Sequence, residues 1–378
     1  MAIYCLGTSN FIVESSFYSE FRNSLQEDII NMSVGASPSA TGMYFMSDAT
    51  LAPGDVVLVD YAINDNSYVV NGCLGAERIA ANLASVIATI VEQDAIPILM
   101  INPEAIGMRS STDAQRMHEA VASATGVPLL NLAELFRQAV LLGADPALLM
   151  IDDAHQSPHL APLIASVVKQ AVRAVRLHPP TISLIALPTC SYRMIAAAPL
   201  VAPSRRVHRS SALRSAAMAA LLEGESLNLA VAETEFVRGL MLNFGAAGGM
   251  VEVVGSRSRL VASLVTHWDN MNPLAFMSVF VEFKEPVQGG QSGVRIQVLP
   301  QCTEPTEPVL HRRLVHPELY GEVQIEGVLI TTDRVVPEHP EQQVQVYDLL
   351  NGRFYDLATR LKAAVEMRLP MMATSTPE

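Results

Sequence analysis

The first half of this chain has a rhythm that few folds can satisfy: short apolar runs alternate with segments of helical period. The runs are Ile3–Leu6, Asp28–Val34, Val56–Tyr61, Ile96–Ile101 and Val127–Leu130. Several are continuously apolar, as strands buried on both faces must be. Between them Ile79, Leu83, Val86, Ile87, Ile90 and Val91 recur at spacings of three and four, which is one face of a helix. A weaker pattern of the same period runs from Ser111 to Ala124. Such alternation predicts an α/β unit over residues 1–177, a parallel sheet with helices on both faces. Its last helix carries Ile164, Val167, Val168, Ala171, Val172 and Val175. Ser157-Pro158 suits an N-cap, but Pro162 removes a donor at the fifth position. A short 3₁₀ turn followed by regular helix from about Ala161 meets both constraints.

His178-Pro179-Pro180 ends this rhythm. Strands are expected beyond it around Met250–Val254, Leu260–Trp268, Ala275–Phe283, Val294–Leu299 and Gly321–Thr331, with a glycine turn at Gly289-Gly290-Gln291-Ser292-Gly293. Short strands with turn signals predict a second, β-rich unit over 178–378, a sandwich or jelly roll. A closing helix is expected from Phe354 to Leu369 and a frayed tail from Thr374 to Glu378. The alanines of Arg205–Leu222 allow a helix there. Trp268, the single tryptophan, is expected in the core of this unit.

In parallel α/β sheets, ligands gather at the carboxyl ends of the strands, and four polar segments fall there. Gly7-Thr8-Ser9-Asn10 follows the first run and sets a serine hydroxyl at the sheet's edge. Asn31-Met32-Ser33-Val34-Gly35-Ala36-Ser37 closes the second, where a glycine can open a backbone N–H to a cleft. Tyr61-Ala62-Ile63-Asn64-Asp65-Asn66 follows the third; an asparagine amide is a neutral donor able to hold an oxyanion. Asp152-Asp153-Ala154-His155 precedes the last helix, and its spacing lets one turn of chain bring a carboxylate back onto an imidazole. Each segment alone has an ordinary reading: a helix cap, a turn, a turn asparagine, a solvated loop. Their order along the chain, each at a strand's end, is what carries weight.

With these segments, the chain resembles the SGNH (GDSL) hydrolase superfamily, whose blocks supply a serine, a glycine, an asparagine and a histidine. The matching residues are Ser9, Gly35, Asn64 and His155. The resemblance covers residues 1–176 and implies a flavodoxin-like three-layer α/β/α fold. It also implies catalytic Ser9, Asp152 and His155, with an oxyanion hole from Ser9, Gly35 and Asn64. Thr8 stands where the family's first block has aspartate, and Ala62 where its third has glycine. The second block is one residue short, so Ala36 competes with Gly35 as donor. Asp153 competes with Asp152, though family spacing favours Asp152. His118 and His159 are expected to be surface or helix histidines.

The implied activity is ester hydrolysis through an acyl-enzyme on Ser9, with acetyl on a carbohydrate as the preferred substrate. The alternatives are an O-acyltransferase acting on polysaccharide or its precursors, and a non-catalytic glycan-binding or scaffold protein. No cofactor or metal is expected, since Cys5, Cys73, Cys190 and Cys302 lie far apart with no CxxC pair. A net charge of −13 without a basic stripe argues against nucleic acid as a partner. No apolar run is long enough to span a bilayer. The opening Met1-Ala2-Ile3-Tyr4-Cys5-Leu6 runs into a strand without a basic leader, so a cytoplasmic protein is expected. A homo-oligomer stays open.

Overall fold

The structure, a computed structural model, describes residues 1–183, 189–244, 248–264, 276–300, 305–307, 321–332, 349–350 and 353–366. The first unit runs β1 (Ile3–Gly7), α1 (Phe17–Asn23), β2 (Ile29–Asn31), α2 (Ala40–Met46), β3 (Val56–Asp60), α3 (Ala62–Val70), α4 (Ala76–Glu92), β4 (Ile96–Ile101), α5 (Asp113–Thr125), β5 (Leu129–Asn131), α6 (Leu132–Leu141), α7 (Pro146–Leu149) and α8 (Ala161–Leu177). All its strands pair in parallel in the order β2-β1-β3-β4-β5, the flavodoxin-like order.

Strand pleating decides the two cores. Ile3, Cys5, Val56, Leu58, Ile98 and Met100 turn to one face, under α1, α6 and α8. Tyr4, Leu6, Val57, Val59, Leu99 and Ile101 turn to the other, under α2, α4 and α5. Both faces are dry, which is why these strands read as unbroken apolar runs. The helix caps follow local chemistry: Thr112 and Gln115 form a capping box on α5, and Gly126 ends it in the left-handed region. As the sequence predicts, a 3₁₀ turn at Pro158–Leu160 leads into α8 at Ala161. Pro162 thereby falls in the helix's first turn, where its missing donor costs nothing. Ser157, however, does not cap; its hydroxyl donates to the Leu148 carbonyl oxygen at 2.7 Å.

The second unit contains β6 (Tyr192–Ala196), β7 (Arg206–Ser210), β8 (Ser215–Leu221), β9 (Ser226–Leu229), β10 (Glu235–Asn243), β11 (Met250–Val254), β12 (Arg259–Ser263), β13 (Ser278–Gln288), β14 (Val294–Leu299) and β15 (Val323–Thr332). They form two antiparallel sheets, β13-β10-β15-β8-β7 with β6 also on β15, and β12-β11-β14-β9. Both sheets contribute to one apolar core, so the unit is a sandwich. The helix allowed at Arg205–Leu222 is instead the β7–β8 hairpin. Alternation decided it: Ala216 and Met218 are buried while Ser215 and Ala217 are exposed, a period of two that overrides alanine's helix propensity. Trp268 and Thr374–Glu378 lie outside the described residues.

The closing helix α9 (Phe354–Glu366) forms at the expected start but does not pack in the sandwich. Leu357, Ala358, Leu361 and Val365 join the core of the first unit against α6, and the Leu349 N–H donates to the Leu129 carbonyl oxygen at 3.0 Å. Its apolar stripe is buried chiefly against α6. The described chain therefore crosses back to where it began.

The two units share buried chemistry. Met241, Phe280 and Leu329 of the sandwich lie in the same core as α2 and α4. Arg238 donates to Glu282 (2.8 Å) and to the Asn82 side chain on α4 (2.8 Å), with both charged side chains at least nine-tenths buried. Removing one partner strands the other charge away from water. Arg238→Ala is expected to lower stability by ~3–5 kcal/mol, whereas Arg116→Ala, in an exposed pair with Asp113, should cost under ~1 kcal/mol. Urea denaturation of the two variants checks this; equal losses would mean that the junction is not held by this pair.

Candidate active site

In the order β2-β1-β3-β4 the chain leaves β1 toward β2 and leaves β3 toward β4, in opposite directions, which opens a crevice at the carboxyl ends of β1 and β3. Gly7, at the end of β1, can hold no side chain: an added Cβ would stand 2.7 Å from the Asp60 carbonyl oxygen. Thr8 follows in extended conformation, and Ser9 opens a single 3₁₀ turn, Ser9–Phe11. The Ile12 and Val13 N–H groups donate to the Ser9 carbonyl oxygen (2.8 and 2.9 Å), which anchors the turn. The hydroxyl is left free to face the crevice.

His155 arrives from a loop closed on itself. Met150 bridges Gln156, the Ile151 N–H donates to the His155 carbonyl oxygen (2.9 Å), and the Ser157 N–H donates to that of Leu149 (2.9 Å). Asp152 organises its interior. Its Oδ1 accepts the N–H groups of Ala154 and His155, both at 2.8 Å, and the two carboxylate oxygens lie 2.9 and 2.8 Å from His155 Nδ1. A carboxylate can only accept, so Nδ1 carries the proton and Nε2 presents its lone pair. That Nε2 lies 2.8 Å from Ser9 Oγ. Partial burial pushes the Asp152 carboxyl up, but the Ala154 N–H and the His155 ring outweigh it and hold the group below the ordinary carboxylate range. Asp153 points into solvent and contributes its carbonyl oxygen to the Ala105 N–H (2.9 Å).

Gly35 lines the crevice beside Ser9, with space where a side chain would be: an added Cβ meets only the Ser9 Cβ, at 3.9 Å. It is Ala36, not Gly35, that takes the left-handed conformation of this turn (φ 53°). Asn64 sits in the first turn of α3 and is nine-tenths buried. Its Nδ2 donates to the Ser37 carbonyl oxygen at 2.9 Å, and the amide carries a second N–H. Asn64 is not among the residues lining the crevice next to Ser9. His118 is a helix histidine, on α5, but a fully buried one, with Nε2 2.9 Å from Asp65 Oδ2. His159 lies in the 3₁₀ turn before α8.

Several residues of this region carried no readable signal in the sequence. Asp60, fully buried at the end of β3, accepts the Thr8 hydroxyl (3.0 Å) and the Asn102 amide (2.7 Å) on Oδ2, and Asn102 Oδ1 accepts Gln156 Nε2 at 2.9 Å. This chain of bonds ties the serine turn to the histidine loop from below. Burial pushes the Asp60 carboxyl from its ordinary 3.8 to about 6, against those donors and the nearby His118. Ser37 is a second such node: its hydroxyl donates to the Gly35 carbonyl oxygen (3.0 Å) and accepts the Phe280 N–H from β13 (2.9 Å). A third is the β7–β8 turn, Ser211–Arg214, which borders the crevice from the sandwich. A polar residue beside a predicted strand end was the only clue to Asp60; nothing local marks the other two.

No protein-family model matches this sequence, and no curated protein does either. Among solved structures, the chain is similar to a two-domain esterase active on acetylated mannans, at 13% identity and a TM-score of 0.52, covering 88% of this chain and 91% of that one. The same esterase co-crystallized with mannopentaose aligns at 12% identity and a TM-score of 0.54, over 89% and 91%. An acetyl xylan esterase aligns with 46% of this chain and all of its own length, at 18% identity and a TM-score of 0.40. The first two likenesses span both units and establish a shared two-domain fold. Among the described residues no group of three or more His, Cys, Asp or Glu side chains is placed to hold a metal ion, and no helix is long and apolar enough to cross a membrane.

Two outcomes follow from this geometry. Gly35→Ala places a methyl group beside Ser9 without backbone strain, so stability should hold or rise by ~0.4–1 kcal/mol. Labelling of Ser9 by a fluorophosphonate should slow at least ~10-fold, and an unchanged rate would move Gly35 out of the reacting space. For Asp60, the folded value of about 6 lies above the ordinary 3.8, so the folded state holds the proton more tightly. Its contribution is greatest below pH ~4, falls as pH rises through ~6, and is flat above, a loss of up to ~3 kcal/mol. Asp60→Asn should remove that slope in urea melts between pH 4 and 7; a slope equal to wild type would place the titration elsewhere.

Proposed function

We propose that this chain is a serine esterase of the SGNH type, hydrolysing acyl esters through an acyl-enzyme on Ser9. The reading rests on one observation above the rest, the continuous line from the Asp152 carboxylate through His155 to the Ser9 oxygen, with contacts of 2.8 Å on either side of the ring. His155 Nε2 takes the hydroxyl proton as Ser9 Oγ attacks the ester carbonyl carbon, and Asp152 stabilises the imidazolium that forms. The N–H groups of Ser9 and Gly35 and the Asn64 amide are assigned to the developing oxyanion. Collapse of the tetrahedral intermediate breaks the ester C–O bond, and the proton on His155 passes to the departing alcohol oxygen. Water, deprotonated by the same nitrogen, then attacks the acyl carbon. The acid departs and the proton returns to Ser9.

Acetyl on a carbohydrate is the substrate that the likeness to the mannan-active two-domain esterase favours. It comes from fold likeness and not from pocket chemistry, so it is the first substrate to test. Purified protein incubated with an activated acetyl ester should release free acetate at a rate independent of added sugar. Acetylated sugar appearing instead would make the chain an O-acyltransferase. Ser9→Ala should abolish acetate release and fluorophosphonate labelling together, and Asn64→Ala should cost roughly 10²–10³ in kcat. A wild-type protein that takes no label at any pH would leave a binding or scaffold role.

A further inference from the structure

The crevice beside Ser9 is shared between the two units. It encloses about 270 Å³, against roughly 150 Å³ for a buried cavity that holds a benzene ring. Ile12 and Val34 line it from the first unit, and Leu213, Phe276 and Met277 from the sandwich. Leu213 stands at the tip of the β7–β8 turn and is 42% exposed, an apolar side chain left facing this opening.

Among the described residues, the polar side chains lining the crevice beside Ser9 already hold partners within the protein. The Ser33 hydroxyl donates to the Cys5 carbonyl oxygen (3.2 Å), and Ser211 Oγ accepts the Leu213 N–H (3.2 Å) within its own turn. Arg214 pairs with Glu326, donates to Ser278 Oγ (3.0 Å), and lies over the rings of Phe45 and Phe276 at 5.1 and 5.6 Å. Glu326 in turn accepts the hydroxyl of Tyr44 on α2 (3.3 Å). Arg214 thus pins the turn to both units and spends its charge in doing so. A sugar ring seated here would bring several hydroxyls against described side chains whose polar atoms are already bonded, whereas a hydrocarbon chain needs no such partners.

We propose that this crevice is an acyl-chain site: it receives the hydrocarbon of an acyl group longer than acetyl, and Leu213 of the second unit sets the chain length accepted. The proposal rests on the acyl-enzyme reading of Ser9. An acetyl methyl would fill only the mouth, beside Gly35. Each further methylene taken from water into the crevice favours the bound transition state by about fourfold.

The test compares kcat/KM for 4-nitrophenyl hexanoate and 4-nitrophenyl acetate, using the full chain. Wild type should favour hexanoate by at least ~10-fold. Leu213→Trp, which fills the opening, should lower the hexanoate-to-acetate ratio at least ~10-fold. Leu213→Ala, which takes away apolar wall without adding bulk, should lower it severalfold and covers the case in which the tryptophan variant does not fold. A ratio that stays at the wild-type value in both variants, or a wild type that prefers acetate, overturns the acyl-chain site while leaving the esterase intact. Failure of the wild type to hydrolyse either ester, with no fluorophosphonate label on Ser9, overturns the reading beneath it.

Discussion

The carboxyl group of Asp60 is the point on which the arrangement of this site depends. Four chain segments meet around it: the turn after β1 through Thr8, the end of β3 itself, the segment after β4 through Asn102, and the histidine loop through Gln156. A buried carboxyl that receives two donors on one oxygen is costly to form and costly to disturb. Loops that leave separate strands have no ladder to fix their mutual position, and this chain of bonds supplies one. The short distance between Ser9 and His155 is maintained from underneath, by groups that need not touch a substrate.

The same logic governs the outer side of the crevice. Ser37 is gripped by Asn64 from α3 and by the Phe280 backbone from β13, so the Gly35 turn is positioned by both units together. The buried Arg238–Glu282 pair with Asn82, and the Arg214–Glu326 pair with Tyr44, extend that grip along α2 and α4. The sandwich is therefore no detachable appendage; it forms part of the wall in front of Ser9 and part of the support behind Gly35. The helix α9, returning to pack on α6, closes the first unit with residues from the far end of the described chain.

The sheet of the first unit was legible because both of its faces are covered. Complete burial forces unbroken apolar runs, and β1, β3 and β4 fall almost residue for residue on the runs that announce them. Ser9 and the Asp152–His155 pair were legible for a related reason: a strand's end and an i,i+3 spacing are local properties. The sandwich was less so. β8 carries the alanines, and what makes it a strand is pairing with β7 on one side and with β15, over a hundred residues away, on the other. β6 and β9 are too short to stand out, and in β10 Arg238 and Gly239 interrupt the apolar run that its burial would otherwise produce.

Local order along the chain specifies the alternation that builds a parallel sheet, the serine and histidine at its carboxyl edge, and the aspartate that one turn of chain returns to the ring. These follow from periodicity and from spacings of a few residues, which covalent geometry enforces wherever the chain lies. Long-range packing is what joins Thr8, Asp60, Asn102 and Gln156 in one chain of bonds, sets Asn64 on Ser37, and brings Leu213 to the crevice beside Ser9. Those contacts join residues tens to hundreds of positions apart, and their energy exists only once the sheet and the sandwich have closed on each other.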